Sequence, residues 1–358
     1  MTLDRLITDL AAGRHLSDEQ AQLAVEQIID ENVAAALKAD FLCHLALKGE
    51  TVQEIAAFAC ALRDKAIQPP LAPAWKNSHE ILDVCGTGGD RLNTFNISTT
   101  VAIICAAAGV PVAKHGNRAI TSQAGSADVL EALGIKINLS PAEAARSLEE
   151  RNFAFFFAPN YHPAFKHIAP ARKLCADRGQ RTIFNFLGPL LNPARPGAQL
   201  VGVPRPELCE PLAHVLQSLG ARRGMVVTGK VHSPQSTVHS PEATIHHLDE
   251  LSTLGQNTVA EFYQERGFTA SALDPTHFPL QPATLADLAG GNREVNAEIV
   301  RRVLHGDERG PKRDAVLLNA AAGLFVANRA KSLADGWTLA AEIIDGGEAA
   351  KKLRELMS

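Results

Sequence analysis

Aromatic residues are scarce in this chain, at 5%, with two tryptophans and two tyrosines beside fourteen phenylalanines. A core of any size therefore has to be built from Ala, Leu, Val and Ile, within a hydrophobic content of 46%. Cationic excess is missing too: 35 Lys and Arg stand against 39 Asp and Glu, a net charge of −4. Broad nucleic-acid binding needs a basic footprint, so that class is disfavoured, while a local basic cleft for a phosphorylated ligand is not. The six cysteines (Cys43, Cys60, Cys85, Cys105, Cys175 and Cys209) lie mostly inside apolar runs, with no CxxC or other metal spacing. They read as buried free thiols in a reducing compartment. No apolar run reaches membrane-spanning length. The start, MTLDRLITDL, lacks the basic region and apolar core of a signal peptide. These absences predict a cytoplasmic globular protein.

Leu3, Leu6, Ile7 and Leu10 share one helical face. Ser17-Asp18-Glu19-Gln20 and Thr51-Val52-Gln53-Glu54 are capping-box patterns, opening helices expected to run to Ile29 and to about Ala66. Between them a helix is expected from about Asn32 to Lys48, stopped by Gly49. Four such helices with no strand among them predict a small N-terminal helical domain over 1–68, which later helical segments join. Pro69, Pro70 and Pro73 mark a linker over 69–79. From Ile81 the pattern changes. Short apolar strands over 81–85, 110–113, 153–158, 200–203 and 224–227 alternate with helices. That alternation predicts an α/β domain over 80–358, with a mostly parallel central sheet flanked by helices. The alanine-rich stretches 315–339 and 339–356 are expected to be packing helices.

The stretch 81–134 is the richest in chemistry. Its first strand runs into Gly86-Thr87-Gly88-Gly89-Asp90, where glycine permits positive φ and successive N–H groups make an anion-binding hollow. Asn96-Ile97-Ser98-Thr99-Thr100 then reads as a hydroxyl-capped helix start, stopped by Gly109, and helix N-termini attract phosphate. After a second strand, Lys114-His115-Gly116-Asn117-Arg118 is expected to leave the strand end. Gly125-Ser126-Ala127-Asp128 closes the segment as another hydroxyl-capped helix start. Singly, each has an ordinary explanation: a tight turn, helix caps at Ser98 and Ser126, a solvated Lys114. In open α/β sheets, however, ligands sit where strands end, and here three polar turns follow one another there.

In that order GTGGD, NIST, KHGNR and GSADxLExLG closely resemble the anthranilate phosphoribosyltransferase family. The resemblance continues through FAPNYHPAFK (157–166), RTIFNFLGPLLNP (181–193), LDELS (248–252) and KRDAVLLNAAAGLF (312–325), covering nearly the whole chain. It implies transfer of a phosphoribosyl group from phosphoribosyl pyrophosphate to anthranilate in tryptophan synthesis. It implies Mg2+ as cofactor, two ions per site, and a homodimer formed through the helical domain. Carried over residue by residue, Gly86, Gly89, Asp90, Thr94, Asn96, Ile97, Ser98 and Thr99 match positions around pyrophosphate and ribose. Lys114, His115, Gly116, Asn117, Ser122 and Ser126 match the loop and helix start that hold phosphate groups. Ser98, Asp249 and Glu250 match metal ligands. Arg172 matches the arginine that binds the anthranilate carboxylate, a group suited to a guanidinium fork. Gly86, Asn117, His162 and Phe165 complete that acceptor pocket, with no residue assigned as acid or base.

Three stretches depart from the pattern. The segment 173–180 is longer than the family spacing, and Gly255-Gln256-Asn257 stands where Gly-Pro-Thr is common. Residues 231–237 (VHSPQST) and 238–244 (VHSPEAT) form a tandem repeat, with His232 and His239 inside it and His246 and His247 after it. With a single carboxylate, Glu242, and no cysteine, the repeat reads as a duplicated surface insertion rather than a metal site. Two other readings remain open from sequence alone. A pyrimidine nucleoside phosphorylase would share the fold, but would differ after the lysine and have no use for Arg172. A nucleic-acid-binding relative would show a basic surface and eroded motifs.

Overall fold

The structure is a computed structural model and describes residues 2–119, 123–232, 245–264 and 267–358. The first helices are α1 (Leu3–Ala11), α2 (Asp18–Ile29), α3 (Ala35–Lys48) and α4 (Val52–Asp64). Both capping boxes form: Ser17 Oγ accepts from Gln20 N, and Thr51 Oγ1 accepts from Glu54 N while Glu54 accepts from Thr51 N. Helix α3 starts later than expected because Asp30 Oδ1 accepts from Asn32 N and Asn32 Nδ2, both at 2.9 Å. That local turn competes with the helix. Gly49, at φ +88°, ends it as expected. Within the proline-marked stretch, Pro73 opens a short helix, α5 (Pro73–Ser78).

Among the described residues eight strands form one sheet: β1 (Leu82–Gly86), β2 (Val112–Gly116), β3 (Phe153–Phe157), β4 (Ala198–Gly202), β5 (Arg223–His232), β6 (Ile245–Leu248), β7 (Asn257–Tyr263) and β8 (Gly267–Leu273). Their order is β3-β2-β1-β4-β5-β7-β8, with β6 also pairing β5. The first five in that order pair in parallel; β6, β7 and β8 pair antiparallel. The parallel sheet was legible in the sequence, and the antiparallel edge was not. Of the tandem histidine repeat only Val231 and His232, ending β5, fall among the described residues; His239 lies outside them.

Between the strands run α6 (Ile97–Ala107), α7 (Ser126–Ala132), α8 (Pro141–Arg151), α9 (Ala158–Tyr161), α10 (Ala169–Asp177) and α11 (Cys209–Ser218). Then come α12 (Arg293–His305), α13 (Pro311–Val326), α14 (Leu333–Asp345) and α15 (Glu348–Leu356). The last three replace the two long helices expected, and Asn328 at φ +58° lies in the break between α13 and α14. Successive strand residues face opposite ways. Leu200 and Val227 join a core with α6, α7 and α12–α15, whereas Val201 and Val226 join one with α1–α4, α10 and α11. A parallel sheet buried on both faces results. All five parallel strands therefore aim their C-terminal ends at one rim.

Candidate active site

At that rim β1 ends in Gly86, and the chain turns through Gly88 and Gly89 at φ +74° and +91°. Glycine enters this region without strain. Thr87 N donates to Gly202 O at 2.9 Å, tying the turn to the end of β4. Asp249, just after β6, packs against both strand ends. A Cβ on Gly86 would collide with its carboxylate, and one on Gly202 with its main-chain carbonyl. Gly88 N donates to Asp249 Oδ2 at 2.7 Å, and Ser98 N to Glu250 Oε1 at 3.2 Å. Both carboxylates are half-buried in the cleft. Burial, then the charges of Asp90 and Glu250, push Asp249 well above the usual carboxylate range. Burial also pushes Glu250 up, against the pull of Lys114 and the Ser98 N–H. The result is a set of oxygen donors whose negative charge is only partly answered.

Lys114 does not leave the strand end; it is the middle residue of β2 and 1% exposed. Its Nζ donates to Val84 O at 2.7 Å and to Ser98 Oγ at 3.3 Å, beneath the acid pair. Burial lowers the pKa of this ammonium, opposed by Cys85, Asp83 and Glu250. On the opposite side of β2, His115 Nδ1 lies 3.1 Å from Gly188 O. Gly116 ends the strand against Ser126 Oγ and the Phe155 ring.

The helix starts differ from expectation in detail. The N-cap of α6 is Asn96 and makes no side-chain cap bond. Its side chain instead donates to Ala124 O at 3.3 Å and accepts from Asn296 Nδ2 at 2.9 Å. Ser98 and Thr99 thus lie in the first turn, with Thr99 Oγ1 buried and without a partner among the described residues, while Ile97 faces the core. Thr94 bridges to Ala289. Helix α7 is capped not by a hydroxyl but by Gly125, whose N donates to Asp128 Oδ2 at 2.9 Å. Ser126 Oγ donates to Asn117 O at 3.4 Å, leaving the Asn117 side chain exposed on the rim. Ser122 lies outside the described residues.

A second pocket wall follows β3. His162 is buried, with its ring 5.4 Å from that of His115 and stacked at 5.0 Å on Phe165. The Nε2 atoms of both histidines are buried without a partner among the described residues. Burial drops His115 to a pKa of about 3, helped by His162, and drops His162 to about 4. Both are neutral at physiological pH. Arg172, in α10, is half-buried, its Cζ 5.3 Å from the centre of the Phe184 ring. Among the described residues its guanidinium has neither a hydrogen-bond nor an ion-pair partner, and burial lowers its pKa. A buried cation with unspent donors is a receptor for an anion. A separate pocket of about 290 Å³, lined by Lys136, Arg146, Arg151 and Phe153, contains none of these residues.

Residues 4–66 match the helical bundle domain of a glycosyl transferase family, and residues 78–350 match its a/b domain. The chain is 46% identical over 345 residues to the anthranilate phosphoribosyltransferase of Petrotoga mobilis, covering 96% of this chain and 93% of that one. The chain belongs to the anthranilate phosphoribosyltransferase family. The Thermus thermophilus enzyme superposes with a TM-score of 0.85 at 41% identity, over 98% of each chain. The Saccharomyces cerevisiae enzyme in complex with PRPP and Mg gives 0.82 at 26% identity, over 99% of this chain and 96% of that one. A second yeast structure carries 4-fluoroanthranilate and gives 0.81 at 26% identity, with the same coverage.

Within this phosphoribosyltransferase frame, two departures from the motif pattern have visible consequences. Segment 173–180 extends α10 to Asp177 and turns through Gly179 at φ +70°. Asn257, in the unusual Gly-Gln-Asn, accepts from Ser252 N at 2.6 Å and donates to Ser252 O at 3.0 Å. It ties down the turn that follows the acid pair. Sequence reasoning missed Asn319, which does the same from α13: its amide accepts from Leu251 N and donates to Leu251 O, both at 2.9 Å. The signal was present, a lone polar residue inside the apolar run 315–326. Also missed was Asp83, fully buried on β1, which accepts from Asn192 Nδ2 at 2.8 Å and His115 N at 3.3 Å.

Proposed function

We propose that this chain transfers the phosphoribosyl group of 5-phosphoribosyl 1-pyrophosphate to the amine of anthranilate, giving N-(5-phosphoribosyl)anthranilate and pyrophosphate in tryptophan biosynthesis. The observation that carries the reading is Arg172: a half-buried guanidinium with no ion-pair partner among the described residues, in a fold that also holds a partly unanswered acid pair. The yeast relative's complexes with PRPP and Mg and with 4-fluoroanthranilate support the same pairing of ligands.

The residues present fit magnesium. Asp249, Glu250 and Ser98 offer hard oxygen donors, and the raised carboxylate pKa values register charge that a cation would neutralise. Among the described residues no group of three or more His, Cys, Asp or Glu side chains is arranged to hold a metal alone. Pyrophosphate oxygens would complete the coordination, and the reading includes two ions per site. When bound, magnesium supplies charge stabilisation to the departing pyrophosphate. The turn through Gly86, Gly89 and Asp90, with Thr94, Asn96, Ile97, Ser98 and Thr99, receives pyrophosphate and ribose on backbone N–H groups and hydroxyls. Lys114, His115, Gly116, Asn117, Ser122 and Ser126 bound the phosphate side, Lys114 acting through Ser98 and the field of its buried charge.

On the acceptor side Arg172 holds the carboxylate, with Gly86, Asn117, His162 and Phe165 around the ring. Neutral His162 lines the pocket; the arylamine attacks C1 through its own free lone pair, and the proton its nitrogen sheds as the N–C1 bond forms leaves with pyrophosphate or water. Catalysis is positioning together with stabilisation of the leaving group, so no enzyme nucleophile is required. The reading also divides the chain into a helical unit over 1–68, a linker over 69–79 and an α/β unit over 80–358. It makes the protein a cytoplasmic homodimer, its helical face marked by Leu47, 72% exposed on α3.

The test is loss of anthranilate fluorescence on mixing protein, anthranilate, PRPP and magnesium, beside Arg172→Ala and Asp249→Asn. Magnesium-dependent loss that collapses in both variants supports reaction and sites together. No loss at any substrate concentration overturns the reading.

A further inference from the structure

Between the end of β2 and α10 the side chains form an unbroken run of ring contacts. His115 meets His162, His162 stacks on Phe165, and Phe165 sets its edge at 89° and 5.8 Å to Phe184. The Arg172 guanidinium then lies over the Phe184 ring. Phe184 is 7% exposed and sits in a short turn that Thr182 and Asn185 close, Thr182 N donating to Asn185 Oδ1 at 2.8 Å. The ring is therefore held on one side by Phe165 and from below by its own turn. Arg172 is the opposite case, a long side chain with no polar partner among the described residues.

A long cation without a partner would ordinarily sample many rotamers, or spend its donors on nearby carbonyls. Here the π-face gives the charge an attractive seat that consumes no N–H. A planar guanidinium held this way loses little further freedom on meeting a carboxylate, which is how preorganisation raises affinity. We propose that Phe184 is a positioning residue for the acceptor: its ring face holds Arg172 in place, with its donors free, for the substrate carboxylate. The inference rests on the reading of Arg172 as the carboxylate receptor. It adds a residue that touches neither substrate nor metal.

The experiment is steady-state kinetics with both substrates varied, on wild type, Phe184→Leu, Phe184→Tyr, Arg172→Ala and the double variant Arg172→Ala/Phe184→Leu. Thermal melting of each protein monitors the fold. Phe184→Leu should raise the KM for anthranilate about tenfold, while kcat and the KM for PRPP stay within about twofold. Phe184→Tyr keeps the ring face and should restore the wild-type KM. In the Arg172→Ala background the leucine change should add nothing, because the cation it acts through is gone. A purely packing role would instead lower kcat, move both KM values or give additive effects, and any of these overturns the proposal. So does an unchanged anthranilate KM in Phe184→Leu. If Phe184→Leu fails to melt cooperatively, Phe184→Met takes its place under the same criteria. If Arg172→Ala leaves the anthranilate KM unaltered in an otherwise active enzyme, the reading of Arg172 falls first, and this proposal with it.

Discussion

Gly202 presses its α-carbon against the main chain of Asp249, so closely that a Cβ there would overlap the Asp249 carbonyl. Gly202 ends β4 and Asp249 follows β6, so the contact fixes how far the acid pair can advance into the cleft. Backbone against backbone has no flexible end to yield. Gly202→Ala should therefore displace Asp249 and break its 2.7 Å bond from Gly88 N. The expected outcome is at least a hundredfold loss of kcat/KM, in line with misplacement of about 1 Å at a reacting centre. Half-saturation by magnesium should shift upward, and titration of activity against metal concentration checks both.

Asn319 sets the same acid pair from behind. Its amide satisfies both main-chain groups of Leu251, the residue after Glu250. In Asn319→Leu those two buried groups would be stranded, at a cost of roughly 1–3 kcal/mol each. Chemical denaturation should show a loss of about 2–6 kcal/mol. Activity should fall further than that loss explains, because Glu250 would lose its anchor. An isostable variant with full activity would contradict this account.

Gly86, Gly88, Gly89 and the Asp249-Glu250 pair were visible as motif, because a tight turn and an acid pair are local chemistry. Their mutual contact was not visible, since 161 positions separate Gly88 from Asp249. The strand order that brings β6 back beside β5 carries no local signal. Lys114 was misplaced for a different reason. A strand of Val-Ala-Lys-His-Gly buries its lysine only if acids wait on that side, and Asp83 and Glu250 come from other elements. The hydroxyl caps expected at Ser98 and Ser126 failed: the N-cap of α6 is Asn96, which makes no side-chain cap bond, and at α7 the Asp128 carboxylate accepts from Gly125 N instead. Arg172 was assigned by resemblance alone, and its distinguishing feature, a guanidinium without a polar partner among the described residues, exists only in three dimensions.

Asp128 joins the two ends of the segment between Asn117 and Ser126. Its Oδ2 accepts from Ala119 N and Gly125 N, both at 2.9 Å, and its Oδ1 accepts from Arg118 Nη1 at 2.9 Å. An amide in its place would turn a donor toward donors. Asp128→Asn should raise the KM for PRPP by one to two orders of magnitude, at about 1.4 kcal/mol per tenfold. The KM for anthranilate should move much less. Two-substrate kinetics separates the effects, and equal rises in both would refute the assignment.

His115 and His162 predict the acid limit of the fold. Burial holds them neutral, with pKa values of about 3 and 4 against about 6.5 for a free imidazole. Between those values the unfolded chain binds protons that the folded chain refuses, so stability declines as pH falls. The decline begins near pH 6.5 and continues until the folded-state values are reached; above pH 7.5 the two rings contribute no slope. Denaturation midpoints measured from pH 8 to pH 4.5 should therefore fall, with the steepest change below pH 6.5. His162→Asn removes one titrating ring and should flatten that slope by about one proton's share, whatever it does to stability at pH 8. An unchanged slope would mean that His162 is solvated and ordinary, and the neutral-imidazole wall of the acceptor pocket would go with it.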